Sequence, residues 1–229
     1  MSEADYNALL TLAQSRLAAN SVIADACAGH LRLSLAWTAH FMHLHKGIHC
    51  DLLLRGCYGA GVEAVSLVAA GLLRPAILSL RSHYELSLQF LFYKDHPIEW
   101  RNVSSFRTQP TLPGVNKKYL KDNFPAFDDR FKELSKKKAR SHEDCYDALS
   151  GVAHGTALHS ISQATVPQDL VEDNLTLSQA ESIFLSASEF LNDVHVSCFD
   201  SNWLSLPQST RSNLDARFSP ASARAALSL

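Results

Sequence analysis

The chain has 229 residues, with 21 lysines and arginines against 23 aspartates and glutamates, a formal net charge of −2. That balance excludes a global field drawing the protein onto nucleic acid or anionic lipid, and the length suffices to bury a sizeable core. Five cysteines (Cys27, Cys50, Cys57, Cys145, Cys198) are odd in number and scattered, with no Cys-x-x-Cys pair. They argue against a disulfide framework or a zinc ribbon, and for a reduced, cytoplasmic setting.

Leu, Ala and Ser dominate, strand-like alternation is rare, and glycine and proline are few. The expected class is all-α, a bundle of long antiparallel helices forming a single domain over residues 1–200. Residues 201–229, rich in Ser, Ala, Pro and Arg, read as a loosely attached tail. The first residues carry acids where a signal peptide would carry bases. The most apolar run, Val65 to Leu73, falls short of the roughly 20 residues that span a bilayer. A soluble protein with no membrane partner is expected.

In chain order, residues 3–19 and 21–45 predict two helices, with a corner near Gly47. A third, residues 51–70, is dense in small residues, among them Gly56, Gly59 and Gly61. Glycine in a helix interior costs up to about 1 kcal/mol against alanine, so close approach of a neighbouring backbone is expected there. Residues 74–94 predict the central helix, with Pro75 suited to its first turn and His96-Pro97 to its stop. At about 100° per residue, Ile77, Leu78, Leu80, Tyr84, Leu88, Leu91 and Phe92 form one apolar arc, with Ser79, Ser82, His83, Ser87 and Gln89 opposite. Beyond it, 98–108 reads as a short helix and 109–125 as an exposed proline-bearing loop. A helix over 128–140 follows, then a Ser141-x-x-Asp144 box opening a helix over 145–163, and a last helix over 176–199.

Arg81 falls in the middle of the apolar arc and Glu85 inside it. An isolated buried charge is too costly to leave unpaired, so Arg81 demands an acid, a polar pocket or a ligand. Glu63, in the preceding helix, is the natural second acid. Ser150 and His154 share a stripe on the 145–163 helix and are expected to face Arg81 and Glu85. The plain alternative is a buried histidine bonded to a carboxylate, holding two helices in register. Ser150–His154 is not a serine-hydrolase signature, because no Gly-x-Ser-x-Gly and no preceding strand exist. Metal ligation by His45 and His49 with Cys50 or His43 is weighed against a plain histidine-rich turn, and no metal or other cofactor is expected. Lys136, Lys137, Lys138 and Arg140 form a local basic patch, a solvated face or a nucleic-acid contact.

The run Gly71-Leu-Leu-Arg-Pro-Ala-Ile-Leu-Ser-Leu-Arg81-x-x-x-Glu85, followed by Tyr146-Asp-Ala-Leu-Ser150-Gly-Val-Ala-His154-Gly155, resembles a bacterial all-helical family. That family pairs an Arg-x-x-x-Glu helix with a later Tyr-x-x-Leu-Ser-x-x-x-His helix. It is similar in turn to the HEPN (higher eukaryote and prokaryote nucleotide-binding) bundles, many of them dimeric, metal-independent ribonucleases of toxin–antitoxin and phage-defence systems. The resemblance implies a defence-type homodimer acting on RNA or binding a nucleotide through Arg81, Glu85, Ser150 and His154. The HEPN signature, arginine followed by histidine after four to six residues, is absent from this chain. The competing expectation is a non-catalytic helical subunit that binds a partner protein, its polar cluster being structural.

Overall fold

The computed structural model describes residues 2–136, 139–140, 145–154 and 164–199, with Gln208 and Arg211. Among the described residues there are eight α-helices and no strand: α1 (Glu3–Leu44), α2 (Asp51–Ala69), α3 (Leu73–Tyr93), α4 (Pro97–Ser104), α5 (Pro113–Asn123), α6 (Phe127–Ser135), α7 (Tyr146–His154) and α8 (Asn174–Cys198). A short 3-10 turn, Pro167–Leu170, precedes α8. The protein is all-α, as its composition predicts.

Several boundaries depart from the sequence reading: the helix expected over 98–108 ends at Ser104, the one expected over 128–140 ends at Ser135, and two differences are larger. Residues 3–44 form one helix of 42 residues, not two. Ala19-Asn20-Ser21 contains no breaker, and Asn20 is fully buried, its amide donating to the Ala69 carbonyl at 3.2 Å. The expected loop over 109–125 contains α5. Its Pro113 takes a first-turn position, where no N–H is needed, after an extended Leu112. Asn116 and Leu120 of α5 are buried. The box Ser141–Asp144, residues 155–163 and most of the expected tail lie outside the described residues.

α2 is long and apolar enough to cross a membrane by length and composition alone. Its Leu54, Cys57, Ala64 and Val68 are buried in the fold, while Leu52, Tyr58 and Val62 are exposed.

The chain divides into two compact units, Met1–Arg32 with Gly59–Ser82 and Arg140–Ala187, and Leu33–Tyr58 with His83–Ala139 and Ser188–Leu229. α1, α2, α3 and α8 each contribute residues to both. In the first unit the core includes Cys27, Leu31, Val68, Ile77, Leu80 and Phe184. The α2–α3 corner turns on Gly71, whose φ of +80° suits glycine. The Glu172 N–H donates to the Gly71 carbonyl at 2.8 Å. In the second unit Trp37, Phe41, Leu54, Tyr84, Leu88, Phe90 and Leu91 are buried. Phe41 lies 5.9 Å from Phe90 and Tyr84 5.3 Å from Phe190, ring centre to ring centre.

The expected close approach at the α2 glycines holds at Gly56, where an added Cβ would meet Leu86 Cδ1 at 3.3 Å. It does not hold at Gly59, where nothing lies within 4 Å. At Gly71 an added Cβ would stand 2.9 Å from Val171 Cγ1 and 3.3 Å from the Asn20 amide. Gly71→Ala therefore combines strained backbone with a clash and should destabilise by about 1–3 kcal/mol. Gly59→Ala, in open space within a helix, should stabilise by about 0.5–1 kcal/mol. Urea denaturation of the two variants beside the parent measures both signs.

Candidate functional site

The buried polar chemistry of this chain sits where the sequence pattern predicts solvent. On α3, Ser79, His83 and Ser87 recur at i, i+4, the face expected to be exposed, and all three are buried. Leu78, assigned to the apolar arc, is exposed instead. The reason lies in the partners these side chains find.

In the second unit His83 is fully buried. Its Nδ1 lies 2.8 Å from the Cys57 carbonyl and its Nε2 3.0 Å from the Ser34 hydroxyl. The assignment that satisfies both is a neutral ring, Nδ1–H donating to the carbonyl and Nε2 accepting from the hydroxyl. The Cys57 thiol donates to the His83 carbonyl at 3.3 Å. The Thr38 hydroxyl donates to the Ser34 carbonyl at 2.9 Å and stands 3.6 Å from Cys57 Sγ. One imidazole thus ties α1, α2 and α3 together. A second buried histidine, His195 on α8, has Nε2 3.0 Å from the Ser87 hydroxyl. Its ring packs 5.5 Å from Trp37 and 5.1 Å from Phe41. The Trp37 indole N–H donates to Asn192 Oδ1 at 3.0 Å.

Burial sets the ionisation of this seam. Removal from water holds the His83 imidazole below its usual pKa, against the raising effect of its bond to the Cys57 carbonyl. Burial lowers His195 to about 3, with the neighbouring His83 adding to the effect. Burial also pushes the Cys57 thiol up to about 12. Burial thus favours the thiol over the thiolate, the reactive form, and the neutral over the charged imidazole. The seam fixes helices rather than performing chemistry.

The residues singled out by the sequence lie elsewhere. In the first unit Arg81 is half-buried, and its Nη2 donates to the Tyr146 hydroxyl at 3.2 Å. Its guanidinium carbon stands 5.4 Å from the centre of the Tyr146 ring. Thus α3 and α7, the two helices carrying the paired motifs, do meet at this arginine. Ser150 is half-buried and His154 exposed on α7. Tyr146 and His154 are two helical turns apart, about 12 Å along the axis at 1.5 Å per residue. The buried, register-holding histidine weighed for position 154 is therefore not found there; that role falls to His83 and His195. Glu63, expected as a counter-charge, is exposed and makes no ion pair among the described residues. Glu85, one turn beyond Arg81 on α3, is half-buried.

The basic patch is corrected at one position. Arg140 is only 3% exposed and cannot belong to a solvated face. Lys136 is exposed and paired with Glu133, while Lys137 and Lys138 lie outside the described residues. In the histidine-dense stretch the side chains diverge. His49 Nε2 lies 2.7 Å from the Tyr93 carbonyl, His45 packs 5.3 Å from Phe90, and Cys50 is buried. Among the described residues no three His, Cys, Asp or Glu side chains converge on a metal position.

The fold and these sites define an all-α protein with an inert polar seam in one unit and an Arg–Tyr junction near the surface of the other. The chain matches no family model, no curated protein and no solved structure.

The buried imidazoles make stability depend on pH. The usual His195 pKa of 6.5 falls to about 3 in the folded state, so between those values the unfolded chain holds a proton the folded chain does not. Stability is therefore full above pH 6.5 and falls on acidification by about 1.4 kcal/mol per pH unit for a single such histidine. His83 adds in the same direction. Urea midpoints at pH 7.5, 6.5 and 5.5 should be flat over the first interval and drop over the second, and His195→Phe should reduce that drop. Cys57 should stay unlabelled by a thiol reagent at pH 8 until the chain unfolds.

Proposed function

We propose that this chain binds RNA or a nucleotide at the junction of α3 and α7, as a bacterial defence or toxin–antitoxin component similar to the HEPN bundles. The observation that carries the reading is Arg81 held against Tyr146 without being fully buried. A guanidinium in that position recognises phosphate through planar, directed N–H groups, and an aromatic neighbour suits a nucleobase. Ser150 and the exposed His154 extend the same α7 stripe with a hydroxyl and an imidazole. Support is for binding more than for turnover. The two-turn offset between Tyr146 and His154 does not resemble a compact acid–base and phosphate-clamp pair, which must sit within hydrogen-bond reach of one group.

The experiment is fluorescence anisotropy with a labelled single-stranded RNA, with ATP as competitor, on the wild type, Arg81→Ala and His154→Ala. Arg81→Ala should weaken binding at least tenfold and His154→Ala several-fold, with melting temperatures within about 3 °C of the parent, as expected for single changes that leave core packing intact. Affinity should fall with added salt, since phosphate contacts release counterions. Wild-type protein that binds neither ligand at low salt overturns the reading.

A second reading, a non-catalytic interaction subunit, is favoured by the seam of neutral buried side chains around His83, which is built for rigidity. It gains if Arg81→Ala leaves ligand binding unchanged and lowers stability by several kcal/mol, as loss of a structural junction would.

A further inference from the structure

We infer that the turn between α4 and α5 docks on an anionic lipid surface, with Phe106 entering the boundary of the bilayer. The inference does not rest on the ligand proposed for Arg81.

The backbone gives the first reason. At the end of α4 the Phe106 N–H donates to the Val103 carbonyl at 2.9 Å, and the Arg107 N–H to the Asn102 carbonyl at 2.8 Å. This pair of bonds is the Schellman close of a helix, which puts one residue in the left-handed region, a place usually held by glycine. Here it is Phe106, with φ +58°. The residue is 97% exposed, so packing among the described residues does not offset the strained backbone. Glycine would hold the same turn at lower cost and hide no less apolar surface. A phenylalanine that weakens its own fold in both respects points to a use outside that fold.

The surroundings select the occupant. In the second unit both sides of the turn are anchored to Tyr93. Trp100 of α4 packs 5.5 Å from the Tyr93 ring, and the Thr111 N–H donates to the Tyr93 hydroxyl at 2.9 Å. α5 then buries Pro113, Asn116 and Leu120, which leaves Leu112 66% and Val115 50% exposed. Single exposed aliphatic residues are ordinary, but Phe106, Leu112 and Val115 share one anchored turn. Charge follows the same stretch. From Trp100 to Lys121 there is no acid, while Arg101, Arg107, Lys117, Lys118 and Lys121 are bases. The chain's net charge of −2, which argues against a pull on the whole molecule, conceals this segregation. Arg101, Arg107 and Lys118 are exposed, Lys121 reaches Asp128 at 3.4 Å, and Lys117 stands 5.9 Å from the centre of the Phe190 ring. Exposed apolar side chains with cations beside them match a bilayer surface: the apolar groups enter the acyl boundary and the cations meet anionic headgroups. Single-stranded RNA would use the aromatic ring and the cations but give Leu112 and Val115 no role.

Vesicle flotation of the full chain tests the inference. The wild type should float with phosphatidylcholine vesicles containing about 30% phosphatidylserine and stay behind with phosphatidylcholine alone. Raising salt from about 0.05 to about 0.5 M should weaken binding about tenfold. Phe106→Gly should keep or raise the urea midpoint, because glycine suits the left-handed position, yet weaken vesicle binding about tenfold. Arg107→Glu should also weaken binding, whereas Arg81→Ala should float like the parent, which separates this surface from the Arg81 reading. Phe106→Trp should gain, over the parent, a blue-shifted emission when anionic vesicles are added. A wild type that does not float with anionic vesicles overturns the inference, as does a Phe106→Gly chain that floats like the parent. Equal flotation with neutral vesicles overturns the choice of anionic lipid. Binding of a labelled RNA that Phe106→Gly loses, with no flotation of the wild type, overturns the inference in favour of RNA recognition.

Discussion

The second unit is organised around one neutral imidazole. His83 accepts from Ser34 of α1 and donates to the Cys57 carbonyl of α2, so a single side chain of α3 constrains two neighbouring helices. Apolar side chains pack without specifying direction. A ring with one donor and one acceptor in a core does specify it, because a rotation or slide of any of the three helices leaves a buried polar atom unpaired. The Ser87–His195 contact applies the same constraint between α3 and α8. Protonating either ring would place a charge in this core without a counter-charge, so acid is expected to weaken the unit.

That interior also separates structure from chemistry. The side chains that resemble catalytic groups by type, thiol, imidazole and hydroxyl, are in this unit buried and largely paired with one another or with backbone, His195 Nδ1 being without a partner among the described residues. Buried serines and threonines add to the pattern. Thr38 donates to the Ser34 carbonyl and Ser197 to the Asp193 carbonyl, each one turn back along its own helix. A hydroxyl satisfied by its own helix buries almost like an apolar group, so a core can be dense in serine without becoming a site. In the other unit, Arg81 beside Tyr146, with Ser150 and His154 following along α7, retains access to solvent.

Much of this was legible in the residues. Composition and the scarcity of breakers set the all-α class. The proline and glycine around residues 71–75 set the α2–α3 corner; Arg81 was expected to meet Ser150 and His154 of α7, and the contact found there is with Tyr146. Other features were not legible for identifiable reasons. The polar stripe Ser79–His83–Ser87 has the periodicity of a solvent face, and nothing local reveals that Ser34 and Cys57 await it. The spacing Ser34–Thr38, matched to another i, i+4 polar stripe, was the available signal. Arg140 read as one more base in an exposed run, yet it is buried. Glu63 read as a counter-charge because it interrupts an apolar run, yet it sits on the outer side of α2.

By itself, then, the order of residues determined the helical class, the corner between α2 and α3, and that Arg81 stands among apolar neighbours. Helix propensity, capping and proline geometry act within a few residues, so they are written locally. Which polar stripe faces inward was decided only by the tertiary structure. A buried hydroxyl can be satisfied by its own helix, but the imidazoles of His83 and His195 find the Cys57 carbonyl and the Ser87 hydroxyl only across 26 and 108 residues of chain.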